Sequence, residues 1–320
     1  MSSDQLSLAD SIKKVHQQLR RDINQSMNYD IKLNKSIILL LAPEAAESIW
    51  NAHVANIDKL NEYAKSMRQL AEHHWAEKAH GQTRLTWCYE TIKDYFHGNE
   101  ISGLERKRAR DKRKQIDTDI CESCQTRIQQ EITRPRVLDV GSCYNAFSCF
   151  NDLETIAIDI APADESVYRI DFLRLPQPPL ICIHSFDVII FSLVLDYLPT
   201  CRQRLSACLI AHQLLTCLGL LLIVEPDSTL RENRQKSWRQ ALNSIGYSLV
   251  SYVKVTNLYC MAFRKLIEQI TINEDEYEKI SQLFNIPQDN IRIDDESQKI
   301  EQKSILVDQD LFNELPYSFD

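Results

Sequence analysis

Three strand ends carry the first chemical signal in this 320-residue sequence. The run Val137-Leu138-Asp139-Val140 closes in Gly141-Ser142, and a glycine there lets the backbone turn sharply and approach a ligand with no Cβ in the way. The next run, Thr155 to Ile160, contains Asp159, about twenty positions beyond Asp139. A carboxylate at that spacing grips a ribose diol in dinucleotide-binding folds, and a loop or helix-capping aspartate is the other reading. Asp171-Phe172 follows Val167 to Ile170 and offers an acceptor for an exocyclic adenine amine beside an aromatic ring that packs on the base. A fourth run, Phe186 to Phe191, leads into Ser192-Leu193. Each feature is common alone. Acidic and glycine loop ends in step with successive strand ends point to a nucleotide-type ligand.

Such residues need a parallel sheet to bring them together, because in an open α/β sheet ligands sit beyond the carboxyl ends of the strands. From Arg134 onward, β-branched runs at 137–140, 155–160, 186–191 and 220–224 alternate with helical segments, the pattern of an α/β fold. Tyr247 to Val255 and Leu258 to Phe263 read as a closing pair of strands. Residues 1 to about 100 read as helices instead: Ile12, Val15, His16 and Leu19 recur at helical spacing, as do Ile57, Leu60, Tyr63, Ala64, Met67, Leu70 and Ala71. A further helix is expected over Leu85 to Phe96, ending near Gly98. The expected division is a helical N-terminal domain (1–130), a Rossmann-like α/β domain (131–265) and an acidic, partly disordered tail (266–320).

Composition sets limits on function. The chain is 44% hydrophobic and 26% charged, ordinary for a globular protein. Its longest apolar stretch in the N-terminal half, Ile37 to Ala42, is far short of the roughly 18 residues that span a bilayer, and a soluble, cytoplasmic protein is expected. The net charge of -8 is concentrated after Leu266, where 14 acidic and 4 basic residues fall, so the rest is near neutral and nucleic acid is an unfavoured partner. Residues 105–114, ERKRARDKRK, are either a phosphate-binding or targeting patch or a solvated helix face. Cys121 and Cys124 have metal or redox spacing but lack a second pair, and His73-His74 lacks a third ligand, so no metal is expected. Cys182, Cys201, Cys208, Cys217 and Cys260 sit in apolar or helical patterns and are expected as free thiols. Trp75, Trp87, Tyr89 and Tyr95 are expected in a core. Arg84, between two of the tryptophans, is a candidate for a ligand carboxylate, which a guanidinium matches bidentately, or else a surface arginine.

The order DVGS, AIDI, DFL, FDVIIFSLVLDYLP, GLLLIVEPDS and MAFRK resembles a class I S-adenosylmethionine-dependent methyltransferase domain. More closely it is similar to the family of S-adenosylmethionine sensors of the TOR kinase pathway, SAMTOR, and to its ribosomal-RNA adenine methyltransferase relatives. The similarity extends to HHWAEKAHGQTRLTWCYETIKDYF (73–96). The resemblance implies that S-adenosylmethionine is the ligand. Gly141 would approach its methionine part, Asp159 with the adjoining Ile160 the ribose, and Asp171 and Phe172 the adenine, with Ser192 and Leu193 near the sulfonium. It also implies a sensor rather than an enzyme, acting on TOR complex 1 through the GATOR and KICSTOR complexes. A ribosomal-RNA adenine methyltransferase is the alternative. The chain departs from the methyltransferase pattern in its glycine loop, Gly141-Ser142-Cys143-Tyr144-Asn145, where the second and third glycines are replaced. After strand four it has Ser192-Leu193-Val194-Leu195 in place of a polar residue followed by Pro-Pro-aromatic.

Overall fold

In the computed structural model, described for residues 3–29, 35–70, 83–97 and 132–290 save 256, long helices precede a seven-stranded sheet. The helices are α1 (Ser3–Tyr29), α2 (Lys35–Ala55), α3 (Ile57–Leu70) and α4 (Arg84–His97). The strands are β1 (Arg136–Val140), β2 (Glu154–Asp159), β3 (Tyr168–Arg169), β4 (Phe186–Ser192), β5 (Leu215–Pro226), β6 (Tyr247–Val255) and β7 (Leu258–Lys265). Between and after them lie α5 (Cys201–Leu214), α6 (Asp227–Leu230), α7 (Arg234–Ser244) and α8 (Glu274–Gln282).

The strand order is β3-β2-β1-β4-β5-β7-β6; β7 runs antiparallel to both of its neighbours and the remaining pairs are parallel. Every residue of β4 is buried, which explains its unbroken apolar run: a central parallel strand is covered on both faces. The order reverses between β1 and β4, so their loops diverge and open a crevice at their carboxyl ends. This is the expected Rossmann-like α/β fold, placed behind N-terminal helices.

The helices do not form a separate body. Leu19 and Ile23 of α1 and Ala46 and Trp50 of α2 belong to the same apolar cluster as Ile189 and Phe191 of β4 and Trp238 of α7. On the opposite face, Trp87, Cys88 and Ile92 of α4 pack with Val137, Val188, Ile190 and Leu220. A boundary at residue 130 therefore parts α4 from the sheet face it covers. Burying one such large side chain is worth about 1.5–3 kcal/mol, so these contacts bind the layers together.

The expected tail is corrected over 273–290. Asn273 accepts from Glu276 N while the Glu276 carboxylate accepts from Asn273 N, a capping box that starts α8. Tyr277 bonds Ser206 Oγ at 2.6 Å, and Phe284 and Ile286 are buried. Residues 291–320 lie outside the described residues, as do His73, His74, Trp75, the 105–114 run and the Cys121–Cys124 pair. Cys182, Cys201, Cys208 and Cys260 are free thiols, whereas Cys217 is disulfide-bonded, correcting its expected free state. Among the described residues no helix is long and apolar enough to cross a membrane, and no cluster is suited to a metal.

Candidate functional site

The loop after β1 shows how a glycine turn survives without its glycines. Gly141 sits at φ +70°, and a Cβ built there would lie 2.5 Å from Val194 Cγ2. The two positions that lack glycine, Cys143 and Asn145, hold φ of 54° and 55°. A side chain in this left-handed region costs roughly 1–2 kcal/mol, so the surroundings must impose it. They do so through hydrogen bonds: Gly141 N and Ser142 N both donate to Ile158 O, Cys143 N donates to Asp159 Oδ2 at 2.9 Å, and Ala163 N donates to Cys143 O. The expected departure thus changes side chains and leaves the turn in place. Leu193, after β4, is also left-handed, at φ 62°.

Asp159 ends β2 with both oxygens engaged, Oδ2 by Cys143 N and Oδ1 by Ala161 N at 2.7 Å. Burial raises its carboxyl pKa, and the amide donors hold it down. Asp139, one strand away and 3% exposed, is pushed up to about 6 by burial. Asp171 accepts from Leu173 N and, at 3.1 Å, from Trp50 Nε1 of α2. Phe172 meets Phe191 edge-on with centroids 5.1 Å apart. Arg84, in the first turn of α4, donates to Ser192 Oγ at 2.7 Å and to Tyr144 OH at 3.5 Å, and its charge is felt by the buried Asp139 carboxyl.

All eight residues singled out by the sequence (Gly141, Asp159, Ile160, Asp171, Phe172, Ser192, Leu193 and Arg84) line one cavity. Its empty volume is about 1110 Å³ including the open mouth. Sequence reasoning suspected the N-terminal helices of covering the ligand but did not name the residues of this roof. Trp50 of α2 and Tyr63 and Met67 of α3 line the same cavity, together with Tyr197 of the turn after β4. Only the helical periodicity of α3 hinted at buried side chains there, without saying what they cover.

Behind the roof stands an aromatic and imidazole cluster. His53 Nε2 is 2.6 Å from Tyr197 OH and His16 Nε2 is 3.2 Å from Tyr63 OH. The His16 ring also meets Tyr197 edge-on, 4.5 Å between centroids. Burial lowers His16 to about 3, aided by the nearby charge of Arg20, and lowers His53 to about 4. Both rings are therefore neutral near pH 7. Burial also raises the Tyr63 and Tyr197 phenols, which stay protonated.

The arrangement can hold a ligand with a polar nucleoside end and a carboxylate end. The Cβ-free turn at Gly141 brings backbone to the crevice, Asp159 and Asp171 supply acceptors, and Arg84 supplies a cation at the β4 side. These features fit S-adenosylmethionine.

A family model described as 25S rRNA (adenine(2142)-N(1))-methyltransferase, Bmt2, matches residues 92–305. A zebrafish (Danio rerio) protein named S-adenosylmethionine sensor upstream of mTORC1 is 33% identical over 322 residues, covering 89% of this chain and 77% of the relative. The protein of the same name from Xenopus laevis is 33% identical over 82% of this chain and 70% of its own length. Among solved structures, the N-methyltransferase NodS from Bradyrhizobium japonicum in complex with S-adenosylhomocysteine is 18% identical, over 41% of this chain and 78% of that one, with a TM-score of 0.32.

Proposed function

The chain belongs to the family of S-adenosylmethionine sensors upstream of mTORC1, within the wider Bmt2 methyltransferase-like family, and from that premise we propose that it binds S-adenosylmethionine as a signal. Occupancy changes its affinity for a partner in the TOR pathway, and nothing is methylated. The observation that carries this reading is the roof. Trp50, Tyr63, Met67 and Arg84, from three helices of the N-terminal half, line the cavity together with the loop after β4, where a methyl acceptor would have to approach. A ligand shifts such a roof only by binding its closed form better than its open one.

Arg84 is the residue for the ligand carboxylate, Asp159 and Ile160 border the ribose, Asp171 and Phe172 the adenine, Gly141 the methionine chain, and Ser192 and Leu193 the sulfonium. The partners are the GATOR and KICSTOR complexes that restrain TOR complex 1, met in the cytoplasm and at the lysosomal surface to which they recruit the protein.

Two measurements on the full chain test the reading. Calorimetry should show saturable binding of S-adenosylmethionine, and ligand at 100 times its Kd should stabilise the fold by about 2.7 kcal/mol. Mass measurement of ribosomal RNA and partner proteins after incubation with the donor should show no added methyl group. A methylated adenine would make the protein an rRNA methyltransferase instead.

A further inference from the structure

Asp289 lies in the turn that follows α8, and no residue of 273–290 lines the cavity. Its carboxylate nevertheless receives two guanidinium groups. Arg204 of α5, with no exposed surface, donates to Asp289 Oδ2, and Arg20 of α1 lies 3.4 Å from Oδ1. The same two arginines hold the turn after β4. Arg204 donates to Leu198 O at 2.6 Å and to Phe284 O at 2.9 Å. Arg20 donates to Asp196 O, and to Leu198 O and Pro199 O at 3.5 and 3.4 Å. Between those carbonyls stand Tyr197 and Leu198, whose side chains line the cavity. One helical turn before Arg20, on the same face of α1, His16 packs on Tyr197 and Tyr63.

We infer that Arg20 and Asp289 are positioning residues for the cavity, coupling the C-terminal segment 273–290 to the aromatic roof so that ligand occupancy and docking of that segment favour each other. The inference rests on the ligand reading above. Its physical basis is that a guanidinium can serve a carboxylate and several carbonyls at once through its fixed fork of donors. Releasing Asp289 would leave the buried Arg204 only the Asp196 carboxyl within electrostatic reach, and a poorly compensated buried charge is disfavoured. Segment 273–290 therefore separates as a unit. When it separates, Arg20 loses the carboxylate that fixes its fork, keeps Asp196 within electrostatic reach, and holds the 196–199 turn less firmly. A ligand that presses against Tyr197 and Tyr63 favours the latched state, and by reciprocity the latch favours the ligand by the same factor.

The decisive measurement is hydrogen exchange of the full-length protein with and without saturating S-adenosylmethionine, because a physical path is established only by demonstrated coupling. Amides of 274–290 should exchange at least about five-fold more slowly with ligand, the low end of typical coupling. In Arg20→Met, which leaves Arg204 its partner, that slowing should vanish and ligand affinity should fall roughly 5- to 150-fold. Arg20→Lys should recover part of both. A purely structural role predicts a lower melting temperature in Arg20→Met with ligand-induced slowing intact, and that result overturns the inference. Should Arg20→Met fail to fold, the wild-type exchange and Arg20→Lys decide. Normal calorimetric binding with no change in 274–290 exchange refutes the latch and leaves the ligand site standing. Blank calorimetry refutes the site itself.

Discussion

Arg84 and Ser192 stand 108 residues apart in the chain and 2.7 Å apart in space, joined by a hydrogen bond from guanidinium to hydroxyl. One contact thus ties the first turn of α4 to the last residue of β4 and sets a cation on the rim of the cavity. Replacing Arg84 by Ala should cost about 1.5–3 kcal/mol of ligand binding, or roughly 10- to 150-fold in affinity. The same change should leave binding of decarboxylated S-adenosylmethionine unaltered, because that compound has no carboxylate. Equal losses for both ligands in calorimetry would show that Arg84 serves some other part of the ligand.

Gly141→Ala should abolish ligand binding and destabilise the fold by about 1–3 kcal/mol, since the new methyl group meets Val194 Cγ2 and φ +70° strains any Cβ. Adding Val194→Ala removes the clash and leaves the strain, so the double variant should regain only part of the lost stability. Chemical denaturation of the three proteins provides the check. Full recovery would mean that steric overlap alone mattered.

Asp159→Asn tests a residue with two duties. Its carboxylate accepts from Cys143 N and Ala161 N, so the substitution weakens the glycine turn as well as the expected ribose contact. Binding should fall, and stability without ligand should fall by about 1–3 kcal/mol as an amide donor confronts backbone N–H. An unchanged melting temperature with lost binding would separate the two duties.

Acid should loosen the roof. His16 and His53 titrate at about 3 and 4 when folded and near 6.5 when unfolded. Below pH 6.5 the unfolded chain therefore binds protons that the folded one refuses, and stability drops as pH falls toward 4, by at most about 1.4 kcal/mol per pH unit for each ring. Arg20 and Lys59 oppose charging of these rings, and Asp22 favours it at His53. Asp139, raised by burial, acts in the opposite direction between about pH 4 and 6. Comparing wild type with His16→Gln/His53→Gln cancels such carboxylate effects. The variant should show a flatter pH dependence of the denaturation midpoint, and identical slopes would clear the histidines.

Much of the sheet was legible because its strands are β-branched runs bounded by loop residues, and the spacing from Asp139 to Asp159 placed two ends correctly. The sequence could not show that the Asp159 oxygens already hold backbone amides, since that depends on the turn taken by Cys143. β3 has two residues, too few for any periodicity to register. α8 hides in acidic sequence, where composition outweighs the Asn273–Glu276 capping signal, and only packing against α5 and α7 reveals Phe284 as core and Tyr277 as half-buried at its edge. The roof is invisible for another reason. Trp50 and Tyr63 sit on helices whose partner surface is far along the chain, 121 residues on in the case of Trp50 and Asp171, and helical spacing says that a face is buried without naming what it is buried against.

The roof is also divided. Trp50 of α2 bonds Asp171 at one end of the cavity, Tyr63 of α3 stands near Asp159 and Cys143, and Arg84 of α4 bonds Ser192. On the proposed reading, three helices would meet three parts of one ligand. In pharmacological terms, a fragment such as methylthioadenosine should behave as a partial agonist. On that reading it would engage α2 and α3 but offer Arg84 no carboxylate, so its response should plateau below that of the whole ligand at any dose.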